Sequence, residues 1–112
     1  MKDTIDIQKI KTEIRQFCKD RDWDQYHSPK NVAAALSVEA SELLEIFQWV
    51  KEDDSRKIML NEKQATHIKE EISDVFYYLV RMADLLNIDI EAEFYEKMKK
   101  NALKYPATHA AK

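Results

Sequence analysis

Not one of the 112 residues is glycine, and that absence constrains the fold more than any motif does. Glycine supplies the positive-φ positions of tight hairpins and of phosphate-cradling loops. Without it, tight hairpins are not expected, and a P-loop or a Gly-rich dinucleotide-binding turn is excluded. Ala, Leu, Glu, Lys, Met and Gln are plentiful instead, and these favour helices. The expected fold class is all-α. The length fits one domain, residues 1–112. A helical domain of this size buries only about two-thirds of its unfolded surface, so oligomerisation is an economical way to add core.

Charge narrows the partners. The formal net charge is −3 with 35% charged residues, which leaves no basic footprint for nucleic acid. A mildly acidic chain that binds a polyphosphate must recruit cations, as metal ions or as a local Lys/Arg cluster. The single Cys18 rules out an internal disulfide and a Cys-rich zinc site. Beside Phe17 on an apolar stripe, it reads as a buried structural thiol. No apolar run approaches the ~20 residues of a membrane span. The N-terminal MKDTIDIQKIK is amphipathic, without the apolar core of a signal peptide. A cytoplasmic protein is expected.

Apolar spacing predicts four helices. Ile7, Ile10, Ile14 and Phe17 recur at helical intervals, placing the first helix over about Thr4–Lys19. Ser28-Pro29 supplies an N-cap and first-turn pair for a second helix reaching about Val50. Its seam reads Val32, Leu36, Leu43, Ile46, Val50, with Glu39 in the slot between Leu36 and Leu43. A polar linker follows, with a short helical turn possible over Arg56–Asn61. The third helix runs from Glu62 or Gln64 to Leu86, with Ile68, Ile72, Val75, Leu79, Met82 and Leu86 in an unbroken 4-3-4-3-4 repeat. Asn87 breaks that pattern. Asp89 caps a fourth helix carrying Ile90, Phe94, Met98 and Leu103. It ends near Lys104, because a residue before proline, here Tyr105-Pro106, disfavours αR. The tail Ala107–Lys112 is expected to fray.

Two acidic pairs carry the candidate chemistry. Glu39 and Glu42 form ExxE on the second helix; Glu71 and Asp74 form ExxD on the third. Residues three apart share a helix face, with Cβ atoms ~5–6 Å apart, and like charges there repel. Both pairs border apolar seams. If the two helices pack antiparallel along those seams, the pairs converge, and four acids beside a core need a cation. Mg2+ suits them, being hard and oxygen-seeking. The plainer reading is a set of solvated acids, since Glu42/Glu45 and Glu93/Glu96 repeat the spacing. The apolar and aromatic residues around Glu39-Ala40-Ser41-Glu42 and Glu71-Ile72-Ser73-Asp74 argue against it.

This ordered set resembles the ExxE…ExxD signature of the MazG-like all-α nucleotide pyrophosphohydrolases, and most of all their single-domain dCTP pyrophosphatases. Arg21-Asp22-Trp23-Asp24-Gln25-Tyr26-His27, Ser28-Pro29-Lys30-Asn31, Gln48-Trp49 and Lys97-Met98…Asn101…Tyr105-Pro106 fit the same pattern, over nearly the whole chain. The resemblance implies a four-helix core with Glu39, Glu42, Glu71 and Asp74 as catalytic Mg2+ ligands. It also implies hydrolysis of a nucleoside triphosphate between the α and β phosphates. By the same resemblance, Trp23, Trp49 and Tyr78 surround the base, and Lys97, Asn101 and Lys104 contact the triphosphate. The implied assembly is a homotetramer, a dimer of dimers, with sites drawing on more than one subunit.

The residues bear on these roles independently. Lys97, Asn101 and Lys104 recur at i, i+4, i+7 and share a helix face, which alternatively is only a solvated Lys-rich face. Either Trp can stack on a pyrimidine or serve as core or interface packing. His27 and His67, near helix starts, suit capping or solvent contact. Two positions depart from the dCTP type: Ile14 stands where that pattern has a nucleotide-side His, and Lys104 where it has Arg, losing the bidentate fork. The first puts the base preference in question, the second the grip on phosphate. Against the enzyme stand two other classes, a non-catalytic helical oligomerisation module and a nucleotide sensor without turnover.

Overall fold

In the computed structural model, which describes residues 4–107, the chain is all-helical with no strand among the described residues. Five α-helices follow in order: α1 (Ile7–Asp20), α2 (Pro29–Phe47), α3 (Glu52–Ser55), α4 (Glu62–Leu85) and α5 (Ile90–Lys104). Short 3-10 turns occupy Asp24–Tyr26 and Ile58–Leu60. The four long helices fall where the apolar spacing puts them. The single turn α3 lies in the stretch read as a polar linker, and the Ile58–Leu60 turn falls inside the expected 56–61 segment. Of the expected frayed tail, all but Ala107 lies outside the described residues.

Each long helix starts on a polar cap. Asp6, Ser28, Asn61 and Asp89 accept from the backbone N–H groups of Lys9, Asn31, Gln64 and Ala92 at 3.0–3.1 Å, satisfying donors that a helix start leaves free. Helix ends show how a glycine-free chain turns. Asp22 (φ 57°) follows α1 and Asn87 (φ 55°) follows α4, both left-handed. Around them Trp23 N donates to the Cys18 carbonyl and Asp22 N to that of Lys19; Ile88 N donates to Ala83 and Asn87 N to Asp84. These are paired Schellman bonds, with Asp and Asn taking the place usually given to glycine because they tolerate αL best among the rest. We expect Asn87→Val to cost about 1–2 kcal/mol and Asn87→Gly to cost nothing or to stabilise, as read from urea midpoints.

The core centres on the packing of α1 against α4. Ile14, Cys18 and Val80 form its centre, with Ile7, Ile10, Phe76 and Tyr77 packed against them. Val32, on the buried side of α2, is also sealed from solvent. Fully burying a side chain such as Val80 contributes about 1.5–3 kcal/mol. The expected α2 seam holds, with Val32 and Ile46 buried and Leu36, Leu43 and Val50 half-buried. Arg15 of α1 grips Asp84 of α4 with two hydrogen bonds of 2.6 Å, and the guanidinium holds the Asp84 carboxyl below its usual range.

The α4 seam departs from its heptad reading. Ile68 is buried, but Ile72 is 54% exposed and Leu79 and Leu86 also face outward. The buried positions are Ala65, Ile68 and Glu71, then Val80, Arg81 and Ala83. The reason is that α4 has two neighbours. It packs on α2 and, from Phe76 to Val80, also on α1, so the buried face shifts instead of following one stripe. α5 goes further and buries none of its residues, leaving Phe94, Met98 and Leu103 open. The Cα radius of gyration is accordingly 17.4 Å, against about 13 Å for a compact domain of this length.

Candidate metal centre

α2 and α4 run antiparallel, so that Glu39 and Glu42 face Glu71 while Trp49 and Val50 lie beside Gln64. One carboxylate oxygen from each of Glu39, Glu42 and Glu71 lies within 4.8 Å of the other two. Glu71 is only 7% exposed, Glu39 is half-buried, and Glu42 opens to solvent. Oε2 of Glu39 and Oε2 of Glu71 are buried and, among the described residues, accept no hydrogen bond. A buried oxygen in that condition loses hydration without replacement. Burial, and then the adjacent Glu42 and Glu71 carboxylates, push the Glu39 carboxyl up to about 7. His67 Nε2 stands 3.6 Å from Glu71 Oε1, on the solvent side.

Two unbonded buried oxygens, three converging carboxylates and one open side form a donor set that fits a hard divalent cation. For such an ion these three acids would supply oxygen ligands, with the Glu42 side left open to water. Asp74 is not brought into this set. It stays exposed one turn beyond Glu71, where its charge, with that of Glu39, adds to burial in raising the Tyr78 phenol.

The aromatic candidates lie on two sides of the acids. Tyr78 meets Tyr77 edge-on at 4.8 Å, Tyr77 meets Phe17 at 6.2 Å, and Phe17 meets Trp23 at 5.5 Å. Trp23 and Tyr78 are thus the two ends of one aromatic row, with the Tyr78 end toward Glu39. Trp49, 88% exposed, instead walls a cleft of about 610 Å³ with Glu42, Glu45, Gln64 and His67. Lys97, Asn101 and Lys104 sit on α5; Asn101 is half-buried, the two lysines are exposed, and none of the three lines that cleft.

Some residues near the site were not expected. His27 is no solvent-facing cap: its Nδ1 accepts from Arg81 Nε at 3.1 Å and lies 3.7 Å from Cys18 Sγ, and burial followed by the Arg81 charge lowers its pKa. His67 pairs with Glu71 and lines the cleft. Arg81 and Tyr77 carried no expected role. Arg81 had a signal in the sequence, a lone cation between Val80 and Met82 in an apolar tract. Nothing comparable marked Tyr77.

A helical chain whose antiparallel central pair gathers carboxylates from ExxE and ExxD motifs belongs to the MazG-like family, whose profile matches residues 34–112. The dCTP pyrophosphatase 1 proteins of Rattus norvegicus and Homo sapiens are each 36% identical to it, over 101 and 102 residues, or 90% and 91% of this chain. The chain spans 58% of the length of these curated relatives. A crystal structure of a pyrophosphatase from Archaeoglobus fulgidus DSM 4304 is 35% identical and superposes with a TM-score of 0.84, covering 96% of this chain and 98% of that one. Among the described residues, no helix is long and apolar enough to cross a membrane.

Proposed function

We propose that this protein is a Mg2+-dependent nucleoside triphosphate pyrophosphohydrolase acting on dCTP or related pyrimidine nucleotides in the cytoplasm, yielding the monophosphate and pyrophosphate. The observation that carries this reading is the pair of buried, unbonded oxygens of Glu39 and Glu71 within reach of Glu42. The names of the dCTP pyrophosphatase relatives support the substrate class.

In this reading Glu39, Glu42 and Glu71 hold the metal, and Asp74, exposed one turn further along α4, turns inward to join them when the ion binds. Bound Mg2+ supplies neutralisation of the polyphosphate and a water of lowered pKa. The chain's own groups do the rest. A carboxylate of the cluster orients the attacking water and takes its proton. The water oxygen bonds to one of the two bridged phosphorus atoms, α or β, as that atom's bond to the bridging oxygen breaks, giving the monophosphate and pyrophosphate. Trp23, Trp49 and Tyr78 flank the base, each stack worth about 1–3 kcal/mol. Lys97, Asn101 and Lys104 take the phosphate tail.

The same reading includes a homotetramer. α5 buries nothing on its own chain, and Ile72, Leu79 and Leu86 form an apolar face of α4 left to solvent; both call for a second copy. An interface there is what would carry the phosphate-binding face of α5 to the carboxylates. Sedimentation should give the mass of four chains, and a monomer at micromolar concentration would remove this part of the proposal.

The decisive assay measures pyrophosphate released from a panel of canonical and modified nucleoside triphosphates, with Mg2+ and with EDTA. Release confined to Mg2+ and greatest with pyrimidine deoxynucleotides is expected. No release from any member, alongside Mg2+-dependent nucleotide binding, would make the protein a sensor.

A further inference from the structure

We infer that Arg81 is a positioning residue, pinning the connection between α1 and α2 to α4 so that Trp23 stands fixed at the edge of the nucleotide site. This rests on the reading of Trp23 as a base-facing residue. Arg81 is 5% exposed and lies in an otherwise apolar part of α4. Its hydrogen bonds go to neither its own helix nor α2. Its terminal nitrogen donates to Asp24 Oδ1 at 2.8 Å, and Nε donates to His27 Nδ1 at 3.1 Å. Both acceptors belong to the segment joining α1 to α2, more than fifty positions away in the chain.

The aromatic contact of that segment, Trp23 edge-on to Phe17, is with α1 and not with α4. Residues 21–26 are all exposed and His27 is only half-buried. Gln25 Nε2 bonds to Asp22 within it, and Asn31 Nδ2 of α2 to the Tyr26 carbonyl; these set its shape but do not attach it to α4. Arg81 does that.

Stability alone does not account for a buried guanidinium here. Apolar residues of similar volume commonly replace buried ion pairs with no loss of stability. What the fork adds is direction, two donors in fixed geometry. Trp23 lies between the two acceptors' turn and the Phe17 ring it meets edge-on. Holding Asp24 and His27 therefore holds the indole at the end of the row that leads through Phe17 and Tyr77 to Tyr78.

The test uses two variants. Arg81→Met keeps the apolar stem and removes both donors. Asp24→Ala cuts the charged half of the latch from its exposed end, leaving Arg81 its bond to His27, so melting temperature is read beside it. Trp23 and Trp49 are the two tryptophans, so Trp49→Phe leaves Trp23 as the sole emitter. In that background both variants should red-shift the Trp23 emission and increase its quenching by acrylamide, and Asp24→Asn, which keeps the acceptor oxygen, should restore native quenching. With Trp49 present, KM should rise about tenfold, the scale of losing one stacking surface, with kcat and the Mg2+-induced thermal shift unmoved. A fall in melting temperature with emission and KM unchanged would reduce Arg81 to a stabilising residue and overturn the inference. If the wild type releases no pyrophosphate at all, the enzymatic reading fails separately. The fluorescence experiment needs no substrate and still decides whether Arg81 holds Trp23.

Discussion

Replacing Glu71 by Gln is expected to lower pyrophosphate release at least about a hundredfold, the scale for removing one preorganised electrostatic contact from an active site. The same change should erase stabilisation by Mg2+ while the metal-free protein melts at the same temperature or higher. Glu71 is chosen because it is the most buried of the three converging acids and contributes one of the two unbonded oxygens. In the metal-free protein its charge is opposed by Glu39 and Glu42, so removing it relieves repulsion. With metal present it loses a ligand, and a ligand that binds only the folded state stabilises by RT ln(1 + [L]/Kd). Differential scanning calorimetry with and without Mg2+, beside an end-point assay for pyrophosphate, reads both effects. The exposed Glu91→Gln, at the start of α5, should behave as wild type in each. A Glu71→Gln enzyme with native turnover would sink the assignment of the metal centre.

The second large effect is a dependence of metal-free stability on pH that runs opposite to the usual carboxylate case. Folding raises the Glu39 carboxyl from 4.5 to about 7. The folded state therefore holds a proton that the unfolded state has released between those values. Stability from this group is complete below about 4.5 and is lost as pH rises through about 7. Melting temperature without metal should thus decline across that window, and Glu39→Gln, which cannot ionise, should flatten the decline. Because the cation displaces that proton, Mg2+ should stabilise far more at alkaline pH than in acid. A metal-free melting curve equally stable on both sides of neutrality, in wild type and variant alike, would contradict the crowding of these carboxylates.

Much of the scaffold was legible from local rules. Missing glycine and abundant helix formers gave the class. The caps at Ser28 and Asp89, the proline after Ser28, and the stop before Pro106 depend on neighbours a few residues away, so short-range stereochemistry is enough to read them. Asp22 and Asn87 are less obvious. Sequence marks Asn87 only as a break in a pattern, whereas the backbone shows that both residues take the left-handed turns that glycine would otherwise make. The α4 repeat misled for a physical reason. A heptad pattern assumes one partner along its length, and α4 has two, with its remaining apolar stripe open.

By itself, then, the sequence determined where the four long helices run, that Glu39-x-x-Glu42 and Glu71 border the apolar seams of two of them, and that Cys18 is buried. All of these follow from periodicity and from contacts within one element. Only the tertiary structure decided that three carboxylates meet while Asp74 stands apart. It also decided that Trp23 and Trp49 lie on different sides of the acids, and that Arg81 reaches across to Asp24 and His27. Such facts depend on the rotation of one helix against another, and a rotation of a few tens of degrees leaves every local preference satisfied while exchanging which side chains touch.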